Sequence, residues 1–207
     1  MKKRLSALLV AGVVGASGLI AGPAQAAPGE QSLAAVLTSD DNVYDRNGQD
    51  FDILERAVTT VLDAKPDSPV GLLADGSVRL TAFLPTDLAF QRLVADLTGS
   101  RPASEKATFE AVAATFDVDT IETVLLYHVA PGKTIGYGKV RRGGDVVVLE
   151  SAIGKHLRLV NRKRNVFVRD ADRDDANPRL IQRLKNVNKG NKQIAHGVNR
   201  VLRPLDL

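Results

Sequence analysis

The chain contains no cysteine and no tryptophan. Without cysteine there is no disulfide, no thiol nucleophile and no thiolate metal site. Aromatic residues are only 4% of the 207 positions, too few for a large aromatic ligand platform. No G-x-x-x-x-G-K-[ST] and no G-x-G-x-x-G occurs, so phosphate-loop and dinucleotide chemistry have no support. The G-x-S-x-G elbow that would expose a nucleophilic serine is also missing. The three histidines, His128, His156 and His196, are separated by 28 and 40 residues, and there is no HExxH. Asp170-Ala171-Asp172-Arg173-Asp174 starts like a calcium loop, but Asp175 and Ile181 stand where Gly and Glu are required, so it reads as a solvated turn. Arg142-Gly143-Gly144-Asp145 is not an Arg-Gly-Asp tripeptide. The expectation is no catalytic residue, no metal and no cofactor.

What is present is a globular composition, 44% hydrophobic and 25% charged. That is too apolar for a disordered chain and too charged for a membrane bundle. The length suggests one domain. Residues 1–26 read as a signal peptide. Lys2, Lys3 and Arg4 form a positive start, Leu5 to Ile20 an apolar run, and Ala24-Gln25-Ala26 a small-x-small end. The run is shorter than the roughly 20 apolar residues of a membrane span. With no lipid-carrying cysteine, the expected product is a secreted, extracellular, soluble protein without membrane insertion.

Charge is unevenly distributed. Residues 27–132 hold 7 basic and 17 acidic side chains, a net of −10, whereas residues 133–207 hold 18 and 7, a net of +11. Two readings stand: internal neutralisation of neighbouring halves, or a basic surface for an anionic partner. The densest basic run is Arg162-Lys163-Arg164.

Residues 27–49 read as a polar N-terminal arm with a short helix at most, and the domain proper spans residues 50–205. Phe51, Leu54, Val58, Val61 and Leu62 recur at helical spacing, with Asp52 and Glu55 placed as a capping pair. A strand over residues 78–84 runs to Pro85, and Thr86 or Asp87 is placed to cap a helix ending at Gly99. Ser104 opens another helix; Asp119 and Glu122 have capping-box spacing before one closed by Pro131-Gly132. Beyond Gly132 the period becomes strand-like. Residues 145–150 form a strand, and residues 156–160 and 166–169 form a hairpin around a basic five-residue turn. After a loop, residues 197–202 form the last strand. Helices first and strands second argue for an α+β fold.

Three segments together resemble the fasciclin domain family, of the secreted bacterial single-domain type. They are Thr81-Ala82-Phe83-Leu84-Pro85-Thr86-Asp87-Leu88-Ala89-Phe90, then Leu126-Tyr127-His128-Val129-Ala130-Pro131-Gly132, then Ile194-Ala195-His196-Gly197-Val198-Asn199-Arg200-Val201-Leu202-Arg203-Pro204. Departures are Leu84 for the usual Ala, Asn199 for the usual Asp, and an insertion near residues 99–116. The resemblance implies a β-wedge of about seven strands with helices packed along it. It also implies a non-enzymatic module for extracellular adhesion or interaction. The motif residues, binding or structural, are Thr81, Phe83, Pro85, Thr86, Asp87, Phe90, Tyr127, His128, His196 and Asn199. In animal relatives the tyrosine-histidine region is implicated in integrin binding; the bacterial-looking leader here points instead to a cell-wall component. The alternative is a binder of an anionic cell-wall polymer or small ligand through the basic half, with Arg162, Lys163 and Arg164 as polyanion-binding residues. No nucleic acid is expected as partner, and a monomer is.

Edman sequencing of the exported protein is expected to begin at Ala27; Met1 or Lys2 at its start would count against the leader.

Overall fold

The computed structural model describes residues 26–39, 44–144 and 146–205. The expected signal peptide and its cleavage site lie almost entirely outside the described residues. Mixed α and β structure is arranged as seven strands in two sheets with helices packed against them.

A short helix α1 (Leu33–Leu37) precedes α2 (Asp52–Ala64), a 3₁₀ turn (Pro69–Leu73) and β1 (Leu80–Pro85). Then come α3 (Asp87–Thr98), α4 (Glu105–Thr115), α5 (Val118–Tyr127), β2 (Val129–Pro131) and α6 (Tyr137–Arg142). The chain finishes with β3 (Val146–Glu150), β4 (His156–Arg162), β5 (Asn165–Arg169), β6 (Leu180–Val187) and β7 (Gln193–Val198). The first sheet has the order β2-β1-β7-β6 and the second β3-β4-β5. β1 and β7 pair in parallel, Leu80 with Gln193 through Pro85 with Val198, although more than a hundred residues separate them. Both strands are buried along their whole length, as parallel strands usually are.

Two cores result. One lies between α2–α5 and the first sheet, around Ile53, Val61, Leu80, Phe90, Leu93 and Leu125. The other fills the space between the sheets, around Phe83, Tyr127, Leu157, Leu159, Val168 and Leu202. In β4 and β5 the alternation puts Leu157, Leu159, Val166 and Val168 inward, each fully buried, and each contributes about 1.5–3 kcal/mol by leaving water.

Several local expectations are corrected. The hairpin turn is only Lys163-Arg164, with Lys163 at φ +54°, because β4 and β5 continue to Arg162 and Asn165. The last strand is 193–198, not 197–202. α5 stops at Tyr127, and residues 129–131 are a strand rather than the end of that helix. α5 is capped by Asp117, whose Oδ1 accepts from the Thr120 amide at 2.8 Å; Glu122 instead accepts from the Ser68 hydroxyl and Lys65. Ser104 does cap α4, accepting from the Ala107 amide. Gly99 ends α3 in the left-handed region at φ +72°, where glycine has no Cβ penalty.

Residues 27–37 are tied down closely. Leu33 is fully buried, and its amide donates to Gln193 Oε1 at 2.7 Å. Gln193, at the head of β7, in turn donates to the Leu72 and Asp75 carbonyls. Gly76 lets this segment cross, since a Cβ there would lie 1.7 Å from the Glu30 carbonyl oxygen. Gly76→Ala is therefore expected to lift the segment and cost about 2–4 kcal/mol, the range for losing a buried leucine's packing. A lower urea midpoint together with new protease cleavage within residues 27–39 would support this; a variant unchanged in both would contradict it.

Candidate functional site

The three motif segments converge where the helical half meets the strands. Thr81, in β1, is fully buried; its hydroxyl donates to the Lys133 carbonyl at 2.7 Å and accepts from the Ile135 amide at 2.9 Å. Phe83 lies opposite His196 in the β1–β7 register, with ring centroids 6.2 Å apart. Its amide donates to the His128 carbonyl. Pro85, Phe90 and His128 share a small apolar crevice of about 30 Å³ between the helices. Tyr127 is fully buried, and burial, reinforced by the Asp170 carboxylate, pushes its phenol up.

The histidines define the chemistry. His128, the C-cap of α5, is 4% exposed. Nδ1 lies 2.7 Å from the Val124 carbonyl, to which only a protonated nitrogen can donate. Nε2 accepts from the Leu202 amide at 2.8 Å. His196, fully buried in β7, has the opposite tautomer: Nε2 donates to the Ile135 carbonyl at 2.9 Å and Nδ1 accepts from the Asn186 amide. Asn186 sits at φ +57° in the irregular stretch of β6, and its Oδ1 accepts from the amide of Tyr137 at the start of α6. Burial lowers both imidazoles, His128 to about 4. Both are therefore neutral at pH 7, with both nitrogens committed to backbone groups. Neither has a nitrogen left for acid–base work on a ligand, and the Val124, Ile135, Asn186 and Leu202 backbone groups are the ones they satisfy.

Asn199 stands where the resemblance calls for aspartate, yet its Oδ1 accepts from the Arg179 amide at 2.7 Å. A carboxamide oxygen performs that task without a charge. Thr86 occupies the N-cap of α3 but makes no side-chain capping bond. Asp87 is already the first helical residue, so its oxygen does not cap α3; Oδ1 accepts from the Ile53 amide at 2.9 Å instead. It thereby supplies to α2 the cap that Phe51, at α2's own N-cap, cannot provide.

Arg162, Lys163 and Arg164 lie apart from this junction, all exposed at the tip of the β4–β5 hairpin. Arg141, at the end of α6, reaches the same tip and donates to the Lys163 carbonyl and to Asn161 Oδ1. The outer face of β3-β4-β5 carries more positive charge than the sequence run alone indicated. Arg158 and Arg169 are directly opposed in the ladder and both exposed. Val148 pairs beside them, and Val146 pairs with Val160, which pairs with Phe167. Val146 and Val148 are each 47% exposed. Arg158 and Arg169 were readable only by continuing the strand alternation outward from Leu157, Leu159, Val166 and Val168, and Arg141, on α6, had no such signal.

Ion pairs between the two charge halves run through three basic residues: Lys192 to Glu30, and Arg200 and Arg203 to Asp96. No carboxylate among the described residues lies within 4.0 Å of the Arg158, Arg162, Lys163, Arg164, Arg169, Arg179 or Arg183 charge. Internal neutralisation thus covers the edge near Arg200 and Arg203 and leaves the second sheet basic.

Losing the His128 ring would orphan the Leu202 amide and the Val124 carbonyl, so His128→Ala is expected to cost about 1–3 kcal/mol. The pH dependence has a definite sign. A folded value near 4, below the ordinary 6.5, gives stability that is full above about pH 6.5 and is lost as pH falls through about 4. Chemical denaturation at several pH values should show His128→Ala losing stability at neutral pH and part of the acid slope; an unchanged free energy with an unchanged slope would contradict the assignment.

Comparison with known proteins agrees with this architecture. A family model described as the Fasciclin domain matches residues 56–204. No curated protein sequence gives a significant match. Among solved structures the chain is similar to a FAS1 domain pair from the insect cell adhesion molecule Fasciclin I. The TM-score is 0.55 at 13% identity, covering 83% of this chain and 50% of that one. That likeness is one of fold, and the chain spans half of the two-domain structure. With the family match covering most of the chain and the motif residues meeting at the junction of its two cores, the protein belongs to the fasciclin domain family.

Proposed function

We propose that this protein is a secreted, non-enzymatic interaction module whose contact surface is the outer face of β3-β4-β5, and that its partner is an anionic extracellular or cell-wall polymer. Fasciclin domains are generally extracellular, adhesion-related modules without enzymatic activity, and no helix among the described residues is long and apolar enough to cross a membrane. The observation that carries the proposal is the Arg158–Arg169 pair. Like charges directly opposed across a ladder destabilise a sheet, and here no carboxylate among the described residues compensates them. Phosphate, sulfate or carboxylate groups along a polymer would relieve that repulsion. Guanidinium is suited to them because its planar fork grips such groups with two parallel bonds. The exposed Val146 and Val148 add an apolar strip beside the charges, which favours an extended polymer over a small free ion.

Contacts of this kind are screened beyond about 8–10 Å at ordinary salt. The protein is therefore expected to elute from a sulfated polysaccharide matrix at a well-defined salt concentration. Replacing Arg162, Lys163 and Arg164 by Ala should move elution to lower salt, and Arg158→Ala with Arg169→Ala should move it further. If wild type and both variants elute together, the basic face is not a binding surface.

A further inference from the structure

In the helical half of the molecule, three carboxylates from distant parts of the sequence meet. Asp50 precedes α2, Asp87 begins α3 and Glu105 begins α4. One carboxylate oxygen from each lies within 4.8 Å of the others. Each carboxylate is also anchored through its other side by a donor. Asn47 Nδ2 donates to Asp50 Oδ2 at 2.6 Å, the Ile53 amide to Asp87 Oδ1 at 2.9 Å, and the Asp45 amide to Glu105 Oε2 at 2.7 Å. Three separate N–H donors thus hold three carboxylates in one orientation.

The remaining oxygens carry the argument further. Asp87 is fully buried, and its Oδ2 finds no N–H or O–H donor among the described residues. The side chain facing it is another carboxylate, Asp50, whose Oδ1 is likewise buried with no donor among the described residues, so the two can hydrogen-bond each other only through a shared proton. Glu105 is 2% exposed. None of the three forms an ion pair with a Lys or Arg among the described residues. Buried carboxylates ordinarily occur with a compensating cation or a metal. A cleft of about 630 Å³, lined by Tyr44, Asp45, Arg46, Arg101, Ser104 and Glu105 among others, reaches Glu105 from solvent.

We propose that Asp50, Asp87 and Glu105 form a binding site for a calcium ion. Calcium takes carboxylate oxygens at about 2.3–2.6 Å, so one ion can bridge oxygens nearly 5 Å apart. Magnesium demands a tighter octahedron at about 2.0–2.1 Å and gives up its waters reluctantly. The ion would add to the hydrogen bonds that already tie the segment before α2 to the first turns of α3 and α4, among them Asp87 amide to Asp50 carbonyl and Leu88 amide to Gly48 carbonyl. No local spacing marks it, because the ligands stand 37 and 18 residues apart.

Without an ion, protons must do the compensating. Burial pushes Asp87 far above the usual carboxylate range, with Asp50 adding to the effect, and burial pushes Glu105 to about 7 with help from Asp50, Asp45 and Asp52. Calcium binding at neutral pH therefore displaces protons.

The test uses the full-length mature protein and calcium chloride, with thermal unfolding and isothermal calorimetry as readouts. Extracellular calcium modules bind with dissociation constants of roughly 10⁻⁴–10⁻³ M. At about 10 mM calcium and pH 8 the melting temperature is expected to rise by about 5 °C or more. The binding heat should vary with the buffer's ionisation enthalpy, reporting proton release, and the stabilisation should fade toward pH 5. Asp87→Asn and Glu105→Gln retain the acceptor oxygens that hold Ile53 and Asp45. Each should fold, match or exceed the calcium-free wild type in melting temperature at pH 8, and lose the calcium response. An absent response in the wild type, an undiminished response in both variants, or an equal response to magnesium would each overturn the proposal.

Discussion

The parallel pairing of β1 with β7 is the constraint on which the structure depends. It joins a strand from the helical half to a strand from the end of the chain, and both are buried from end to end. Such a seam cannot borrow water to satisfy the backbone groups beside it. Every amide and carbonyl around it needs a protein partner. Thr81, His128, Gln193 and His196 provide those partners, and each contributes at least two hydrogen bonds. The two histidines suit the task because a neutral imidazole offers one donor and one acceptor, pointing to different sides of a rigid ring. Lysine has no acceptor to offer, and a charged ring would pay a desolvation cost.

This explains why the motif residues read as a functional site and yet sit in a dry junction. Their polar atoms face backbone rather than solvent. What remains for recognition is the surface that the junction supports. The second sheet is held by the core around Phe83, Tyr127 and Leu202, which fixes its outer face as a rigid platform for Arg158, Arg169 and the hairpin tip. The acidic half is partitioned differently. Some of its charge goes to Arg200 and Arg203, and some is folded inward at Asp50, Asp87 and Glu105.

The α+β class, five of the seven strands and the family were legible because apolar periodicity and motif spacing survive without tertiary information; the count of seven came only with the family resemblance. The long helices α2, α3 and α5 were legible for the same reason. β6 was not, because Gln182, Arg183, Lys185 and Asn186 face out or interrupt the ladder, and so mask the alternation. β2 was hidden by its length of three residues, and α6 by Gly136 and Gly143 that flank it and Gly138 within it. The capping assignments at Asp52 and Asp87 went astray for one reason: spacing predicts caps within a helix, whereas Asp87 caps the start of α2 from another helix. The carboxylate triad had no signal at all, since its members meet only once α2, α3 and α4 are packed.

The claim most exposed to direct measurement is that the seam is held by two neutral imidazoles of opposite tautomer. Long-range ¹H–¹⁵N NMR of the folded protein reads this without any mutation. The structure requires the Nδ1–H form at His128 and the Nε2–H form at His196, with the His128 ring unchanged between about pH 7 and pH 5 and the His196 ring titrating below its ordinary value. A single shared tautomer, or titration of either ring near its ordinary value of about 6.5, would contradict the account.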